Sequence, residues 1–379
     1  MKVDDGALAA IRDRLDRMMY ALVDHRMALE LPPTMTGFPR YESLRRIVAR
    51  LDPAHGALFR LFRLGEVVDS DALQAAFGDD VAALRRTGLV VPADGGWRTP
   101  GVLVVPAHGL LLVTGTPGAY PTAPREQSRQ LAAFDLSTSF VAAALPGTLG
   151  GRRVLDVCSG TGVQALLCAA RGATDVVGLE LRESAVTIAS MNAALNGMAE
   201  RVRFRRSDML AALAPGERFD FVVANLPYLP AIRADRRPVS AADIGNSLLW
   251  PLLDALPAHL SGTARGVLAT WRAAGAGGST THQLRAIADR LAAHGCAVSA
   301  YVDPVRDTVD GVLDLLRADL GEPGTEEVRA LLADVDGFYN QLVGFERRAA
   351  GPVPAEPATF GLGRAAVSAP PAPVPAPAR

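Results

Sequence analysis

Two short stretches combine residue types whose spacing could do chemistry. In "VLDVCSGTGVQAL", residues 154–166, an acid, Asp156, stands inside an apolar run, and Gly160-Thr161-Gly162 follows it. Glycines between a strand and a helix permit a tight turn and close approach of a ligand, and the free amides at a helix start favour a negative group. With Ala165 the pattern fits Gly-x-Gly-x-x-Ala, which could hold a dinucleotide pyrophosphate. A carboxylate at Asp156 would repel that pyrophosphate but would suit a ligand with an ammonium group, and an acid in an apolar strand is costly without a partner. In "ANLPYLP", residues 224–230, an amide, two prolines and a tyrosine close another apolar run. Proline cannot donate to a sheet ladder, so the strand must stop there and the backbone is held stiffly. Such a loop is either a plain turn or a site.

A ligand that carries an ammonium, a carboxylate and a positive sulfonium, without phosphate, is S-adenosyl-L-methionine. Glu180 ends the next apolar run, "VVGLELR", where an acid can accept from both ribose hydroxyls, a role that NAD sites share. Asp208 in "RRSDML" could accept from an adenine amino group with Met209 against the ring, or could cap a helix beginning at Met209. Ser159, Leu181 and Asn225 complete the expected contacts to S-adenosyl-L-methionine, whose demethylated product is S-adenosyl-L-homocysteine.

These residues need strands and helices in alternation to bring them together. Apolar runs at 154–158, 176–180, 202–206, 219–223, 266–271, 298–302 and 309–316 read as strands. Helical spacing at 162–171, 183–196, 245–259 and 281–294 lies between them. The fold class expected over 151–320 is α/β, a Rossmann-like, mostly parallel sheet with helices on both faces. Upstream, Leu8, Ile11, Leu15, Met18, Met19 and Leu22 predict one amphipathic helix over 4–30, ended by Pro32 and Pro33. Helices at 43–51, 54–64, 70–77 and 79–87 follow, and apolar runs around Val90 and Val102 would pair across Asp94-Gly95-Gly96. This pattern suggests a winged-helix-like, mostly helical N-terminal domain over 1–119, joined by a connector over 120–150. Val328, Leu331, Leu332, Val335, Phe338, Leu342 and Phe345 predict a C-terminal helix over 326–348, within a segment 321–350, and the Pro/Ala-rich 351–379 reads as a disordered tail.

The 379 residues, 49% hydrophobic and 21% charged with net charge −1, are ordinary for a soluble globular protein of two or three domains. Nothing overall pulls such a chain to nucleic acid or membrane, and in the 79–87 helix Arg85 and Arg86 stand beside two aspartates. The three cysteines suit neither a disulfide framework nor a zinc site, the histidines form no ligand spacing, and no metal is expected. With no apolar run long enough for a membrane span and no signal-peptide layout, the expected location is the cytoplasm.

Residues 130–318 resemble the class I S-adenosylmethionine-dependent methyltransferases. Within them the chain is most similar to the amino-methylating group with an Asn-Pro-Pro-Tyr signature, the release-factor glutamine methyltransferases and related small-domain enzymes. "VLDVCSGTGVQALLCAARGA", "VVGLELRESAVTIASMNAALNGM", "VRFRRSDML" and "FDFVVANLPYLP" carry the resemblance in the family's order. It implies that Asp156, Gly160 and Gly162 hold the methionine part, Glu180 the ribose and Asp208 the adenine, while Asn225, Pro227 and Tyr228 face a substrate nitrogen. Leu226 departs from the family's proline and makes the loop look like that of rRNA adenine dimethyltransferases. If the Asn225 side-chain oxygen and the Leu226 carbonyl each accept one N–H, they fix a planar nitrogen in line with the methyl group. Tyr228 would lie on the flat face of the substrate.

Arg233, Arg236 and Arg237 form either a clamp for an anionic group of the substrate or a solvated loop. The expected enzyme is an N-methyltransferase acting on an amino or amide nitrogen of a small molecule or peptide, with a place in specialised metabolism. The alternatives are an rRNA, ribosomal-protein or release-factor methyltransferase, and a protein that binds S-adenosylmethionine for intramolecular cyclisation or as a non-catalytic subunit. The N-terminal domain would serve a homodimer or partner-subunit contact.

Overall fold

The computed structural model describes residues 1–31, 39–117, 120–123, 136–227, 248–275, 279–347 and 358–359. In the N-terminal part the elements are α1 (Asp5–Arg17), α2 (Tyr20–Leu29), α3 (Tyr41–Val48), α4 (Pro53–Phe62), α5 (Ser70–Phe77), α6 (Val81–Thr87), β1 (Val91–Ala93), β2 (Gly96–Arg98), β3 (Val102–Ala107), β4 (Leu110–Gly115) and α7 (Leu136–Ala144). Then come β5 (Arg153–Val157), α8 (Val163–Ala170), β6 (Asp175–Glu180), α9 (Glu183–Leu195), β7 (Val202–Arg206) and β8 (Phe219–Asn225). The last are α10 (Leu249–Ala255), β9 (Leu260–Ala274), α11 (Ser279–Ala292), β10 (Cys296–Asp307), α12 (Val309–Leu331), β11 (Gly337–Arg347) and β12 (Ala358–Thr359). The chain divides into two compact units, one of Met1–Thr138 with Ser159–Asp208, the other of Ser139–Cys158 with the described residues from Met209 onward.

The first unit opens with a helix whose start is set by Asp4, a side chain that accepts from the Ala7 amide at 2.9 Å. Leu8, Ile11 and Leu15 are buried on one face of α1. The single helix expected over 4–30 is broken, because Met19 takes a left-handed backbone, φ 48. That break changes the helical phase, so that Tyr20, Asp24 and Met27 turn inward on α2 and Leu22 is left 61% exposed. Tyr20 packs against Phe59 with ring centroids 4.6 Å apart, and Phe62 meets Phe77 edge-on at 5.5 Å. Ile188, Met191 and Leu195 of α9 belong to this same core, so the helix after β6 is packed into the N-terminal module. Inside it Arg63 donates to Asp24 at 2.6 Å, both side chains being buried.

The hairpins differ from expectation. Val91–Ala93 pairs with Gly96–Arg98 across the Asp94-Gly95 turn, whereas the Val102 run turns at His108-Gly109 and pairs with Leu110–Gly115. The run at 102–107 finds in 110–115 an equally long apolar partner, while only three residues can pair across the first turn. In the same unit β6 and β7 run parallel, from Val176↔Val202 to Glu180↔Arg206.

In the second unit β5, β8 and β9 are parallel neighbours, and β11 inserts antiparallel between β9 and β10. Two expectations fail here. Residues 309–316 are not a strand but the start of α12, where Thr308 accepts from the Gly311 amide at 3.1 Å and caps the helix. The helix expected over 326–348 ends at Leu331, and 337–347 is a strand paired on both edges. Helical spacing of Phe338, Leu342 and Phe345 was ambiguous over so short an apolar run, and the open slot between β9 and β10 gives the strand ladder partners on both edges. Gly337 stands at the entrance with φ 155, where a Cβ would lie 2.5 Å from the Asp307 carbonyl oxygen. The segment 351–357 and 360–379, read as tail, lies outside the described residues. Among the described residues no helix is long and apolar enough to cross a membrane.

Candidate functional site

The Gly-rich turn lies in the first unit. Ser159 donates its amide to the Leu179 carbonyl at 2.9 Å, and Gly162 donates to the Ser159 carbonyl at 2.7 Å, which closes the turn over the end of β6. Gly160, at φ 54, donates its amide to Glu180 Oε2 at 3.0 Å. Glu180 is buried, and its other oxygen accepts from the Arg182 amide at 3.0 Å. Arg182 Nε also donates to that oxygen, at 3.4 Å, so the carboxylate ties the turn to the end of β6 and keeps an acceptor position on Oε2 among the described residues. The N-terminus of α8 follows at Gly162 with no side chain capping it.

Two buried polar atoms of this turn region, Ser159 Oγ and Gln164 Nε2, have no hydrogen-bond partner among the described residues. Buried polar groups are ordinarily paired, so these two atoms fit a turn completed by a polar ligand. Leu181, next to Glu180, is half exposed, an apolar surface of the kind an adenine face covers. Asp208 is exposed and Met209, φ 49, is half-buried. No helix begins at Met209, so the capping reading of Asp208 does not hold.

Gly162 serves a purpose that its place in the motif concealed. A Cβ there would stand 2.5 Å from Phe204 Cζ and 3.1 Å from Ala189 Cβ, and Gly178 of β6 is pressed by the same ring. The absence of a Cβ there admits the Phe204 ring between α8, α9 and β6.

In the second unit Asp156 is buried on β5, and Asn225 is the last residue of the neighbouring parallel strand β8. Their register is Asp156↔Val223 and Val157↔Ala224, so Asn225 stands two residues further toward the C-terminal edge than Asp156. Ligands of parallel sheets collect at that edge. Cys158, next along from β5, has φ 60. The Leu226 side chain is buried and Pro227 is exposed. Tyr228, Arg233, Arg236 and Arg237 lie outside the described residues. Among the described residues no group of His, Cys, Asp and Glu is arranged to hold a metal.

Sequence reasoning passed over Asn192 and Asn196. Asn192 is fully buried in α9, accepts from the Val113 amide at 2.7 Å, and donates to the Val113 and Thr161 carbonyls, each at 2.9 Å. The available signal was Asn192 inside the helix, where that residue type is disfavoured, with Asn196 one turn on at its C-cap.

A family model described as a methyltransferase domain matches residues 154–242. The ribosomal protein L11 methyltransferase of Halalkalibacterium halodurans is 42% identical over 77 residues, 20% of this chain and 24% of that protein. The release factor glutamine methyltransferase of Koribacter versatilis is 38% identical over 84 residues, 22% of this chain and 29% of that protein. The tRNA1(Val) (adenine(37)-N6)-methyltransferase of Bacteroides thetaiotaomicron is 37% identical over 81 residues, 21% of this chain and 34% of that protein. The chain therefore spans only 24% to 34% of the length of these relatives. These matches show a methyltransferase domain over residues 154–242, a stretch that resembles the class I S-adenosylmethionine-dependent methyltransferases of the glutamine-methyltransferase and small-domain group.

Proposed function

We propose that the chain transfers a methyl group from S-adenosylmethionine to a nitrogen of a protein of the translation apparatus. The observation that carries it is the placement of Asn225 at the C-terminal end of β8, beside Asp156 on β5, with the Leu226 carbonyl immediately after it. The targets named for the relatives are a ribosomal protein, a release factor and a tRNA. They favour a macromolecular acceptor over the small molecule suggested by the near-neutral charge.

In this reading Asp156 faces the ammonium group, Gly160 and Gly162 shape the turn around the methionine part, and Ser159 Oγ gains a partner. Glu180 takes the ribose hydroxyls, while Leu181, Asp208 and Met209 face the adenine. The cosubstrate supplies an electrophilic methyl on a sulfonium. Asn225 Oδ1 and the Leu226 carbonyl each accept one N–H of the acceptor nitrogen, hold it in line with the methyl, and favour its tetrahedral form. Alignment of this kind is worth up to roughly 7–11 kcal/mol in favourable cases. The new N–C bond forms as the S–C bond breaks, and the proton leaves to solvent afterwards. Pro227 keeps the acceptors aimed.

A second reading, methylation of an adenine amino group in RNA, is favoured by one specific feature, the Asn-Leu-Pro-Tyr form of the loop. The test is incubation of the protein and methyl-labelled S-adenosylmethionine with unmodified ribosomal proteins and release factors, and separately with unmodified tRNA and rRNA. Label in protein, lost in Asn225→Ala while that variant still binds S-adenosylhomocysteine, is the expected result. Label confined to RNA establishes the second reading, and label only in small molecules overturns both.

A further inference from the structure

Asn192 and Asn196 join the N-terminal hairpin to the Gly-rich turn by a device confined to the first unit. Four residues along a helix advance about 6 Å, close to the roughly 6.6–6.8 Å that two residues advance along a strand. Side chains one helical turn apart on α9 can therefore read alternate residues on the edge of β4. Asn192 exchanges both hydrogen bonds with Val113, and Asn196 does the same with Leu111, accepting from its amide at 3.0 Å and donating to its carbonyl at 2.8 Å. The two amides take the place of a neighbouring strand. On the opposite hairpin edge Tyr20 donates to the Val104 carbonyl at 2.7 Å, and Pro106, which has no N–H to offer, pairs with Leu111.

The two asparagines differ in their remaining bonds. Asn196 spends its second donor on the Asn192 carbonyl of its own helix and accepts from Arg12 Nη1 at 3.0 Å. Asn192 spends its second donor on the carbonyl of Thr161, the middle residue of Gly160-Thr161-Gly162. A flipped Asn192 amide would set its NH2 against the Val113 N–H, so the orientation is dictated by its partners.

We propose that Asn192 is a positioning residue through which the edge of β4 sets the conformation of the Gly-rich turn, so that cosubstrate affinity depends on the N-terminal hairpin. The proposal rests on reading this turn as the cosubstrate site. Val113 orients the amide, the amide holds Thr161, and Gly160 next to it donates to Glu180. By linkage, a ligand that orders the turn must also steady β4.

The test compares Asn192→Ser with Asn196→Ser, both of which give up the clasp on β4 while only the first releases Thr161. Titration with S-adenosylhomocysteine should show about tenfold weaker binding for Asn192→Ser, the size of one lost buried hydrogen bond, and binding within about twofold of wild type for Asn196→Ser. Hydrogen exchange without ligand should speed up over residues 159–163 in Asn192→Ser alone. Equal effects of the two variants on affinity and exchange would overturn the proposal. If wild type binds no S-adenosylhomocysteine, the cosubstrate reading fails, and exchange at 159–163 still decides the positioning role. Should Asn192→Ser not fold, wild type provides the readout: S-adenosylhomocysteine should slow exchange in 110–115, and unchanged exchange there with ligand bound would refute the coupling.

Discussion

Gly162→Ala separates two reasons for a glycine at the end of the turn. The residue has φ 84, and its added methyl group would stand 2.5 Å from Phe204 Cζ and 3.1 Å from Ala189 Cβ. Holding a residue with a Cβ in the left-handed region costs roughly 1–2 kcal/mol. Forcing a methyl into the packed ring adds about 1–3 kcal/mol of overpacking. The variant should therefore lose about 2–5 kcal/mol of unfolding free energy, a large part of a typical domain's margin. Phe204→Leu removes the far edge of the ring and relieves only the second cost. In a cycle of urea unfolding curves, the double variant should be about 1–3 kcal/mol more stable than the sum of the single changes predicts. S-adenosylhomocysteine titration of the same four proteins reads the other possibility. A Gly162→Ala protein within about 0.5 kcal/mol of wild type, or a cycle additive to within about 0.5 kcal/mol, would refute the packing argument. Lost ligand binding in such a stable variant would return Gly162 to its expected role.

Two further outcomes follow from the N-terminal core. Asp24→Ala leaves the buried Arg63 guanidinium without its partner at 2.6 Å, so the protein should lose about 3–5 kcal/mol; chemical denaturation measures this, and a loss under about 1 kcal/mol would mean the pair is not desolvated. Burial works against ionisation of Glu66, but hydrogen bonds from Arg60 at 2.8 Å and Tyr41 at 2.7 Å and the charges of Arg60 and Arg45 prevail, holding its carboxyl below the ordinary 4.5. Its contribution is present above pH 4.5 and is lost as pH falls through the lower folded value, so wild type should lose more melting temperature than Glu66→Gln on acidification below about pH 4.5. Parallel curves for the two proteins would remove Glu66 from the acid response.

The alternation of strands with helices from β5 to β10 was readable because its elements follow local rules of period and turn residue. The same holds for Asp156, Glu180 and Asn225, whose types at strand ends are unusual enough to be noticed one at a time. What local rules could not decide were choices between partners. Phe338, Leu342 and Phe345 suit a helix as well as a strand, and the slot between β9 and β10 chose the strand. The run at Val102 could pair in either direction along the chain, and the equal length of 110–115 chose its hairpin. Asn192 and Asn196 reveal their use only when β4 lies against α9, and Gly162 only when Phe204 is in place. Propensity and pattern act over a few residues and are written in the chain order. Backbone pairing and close packing depend on which surfaces meet, and only the folded chain brings those surfaces together.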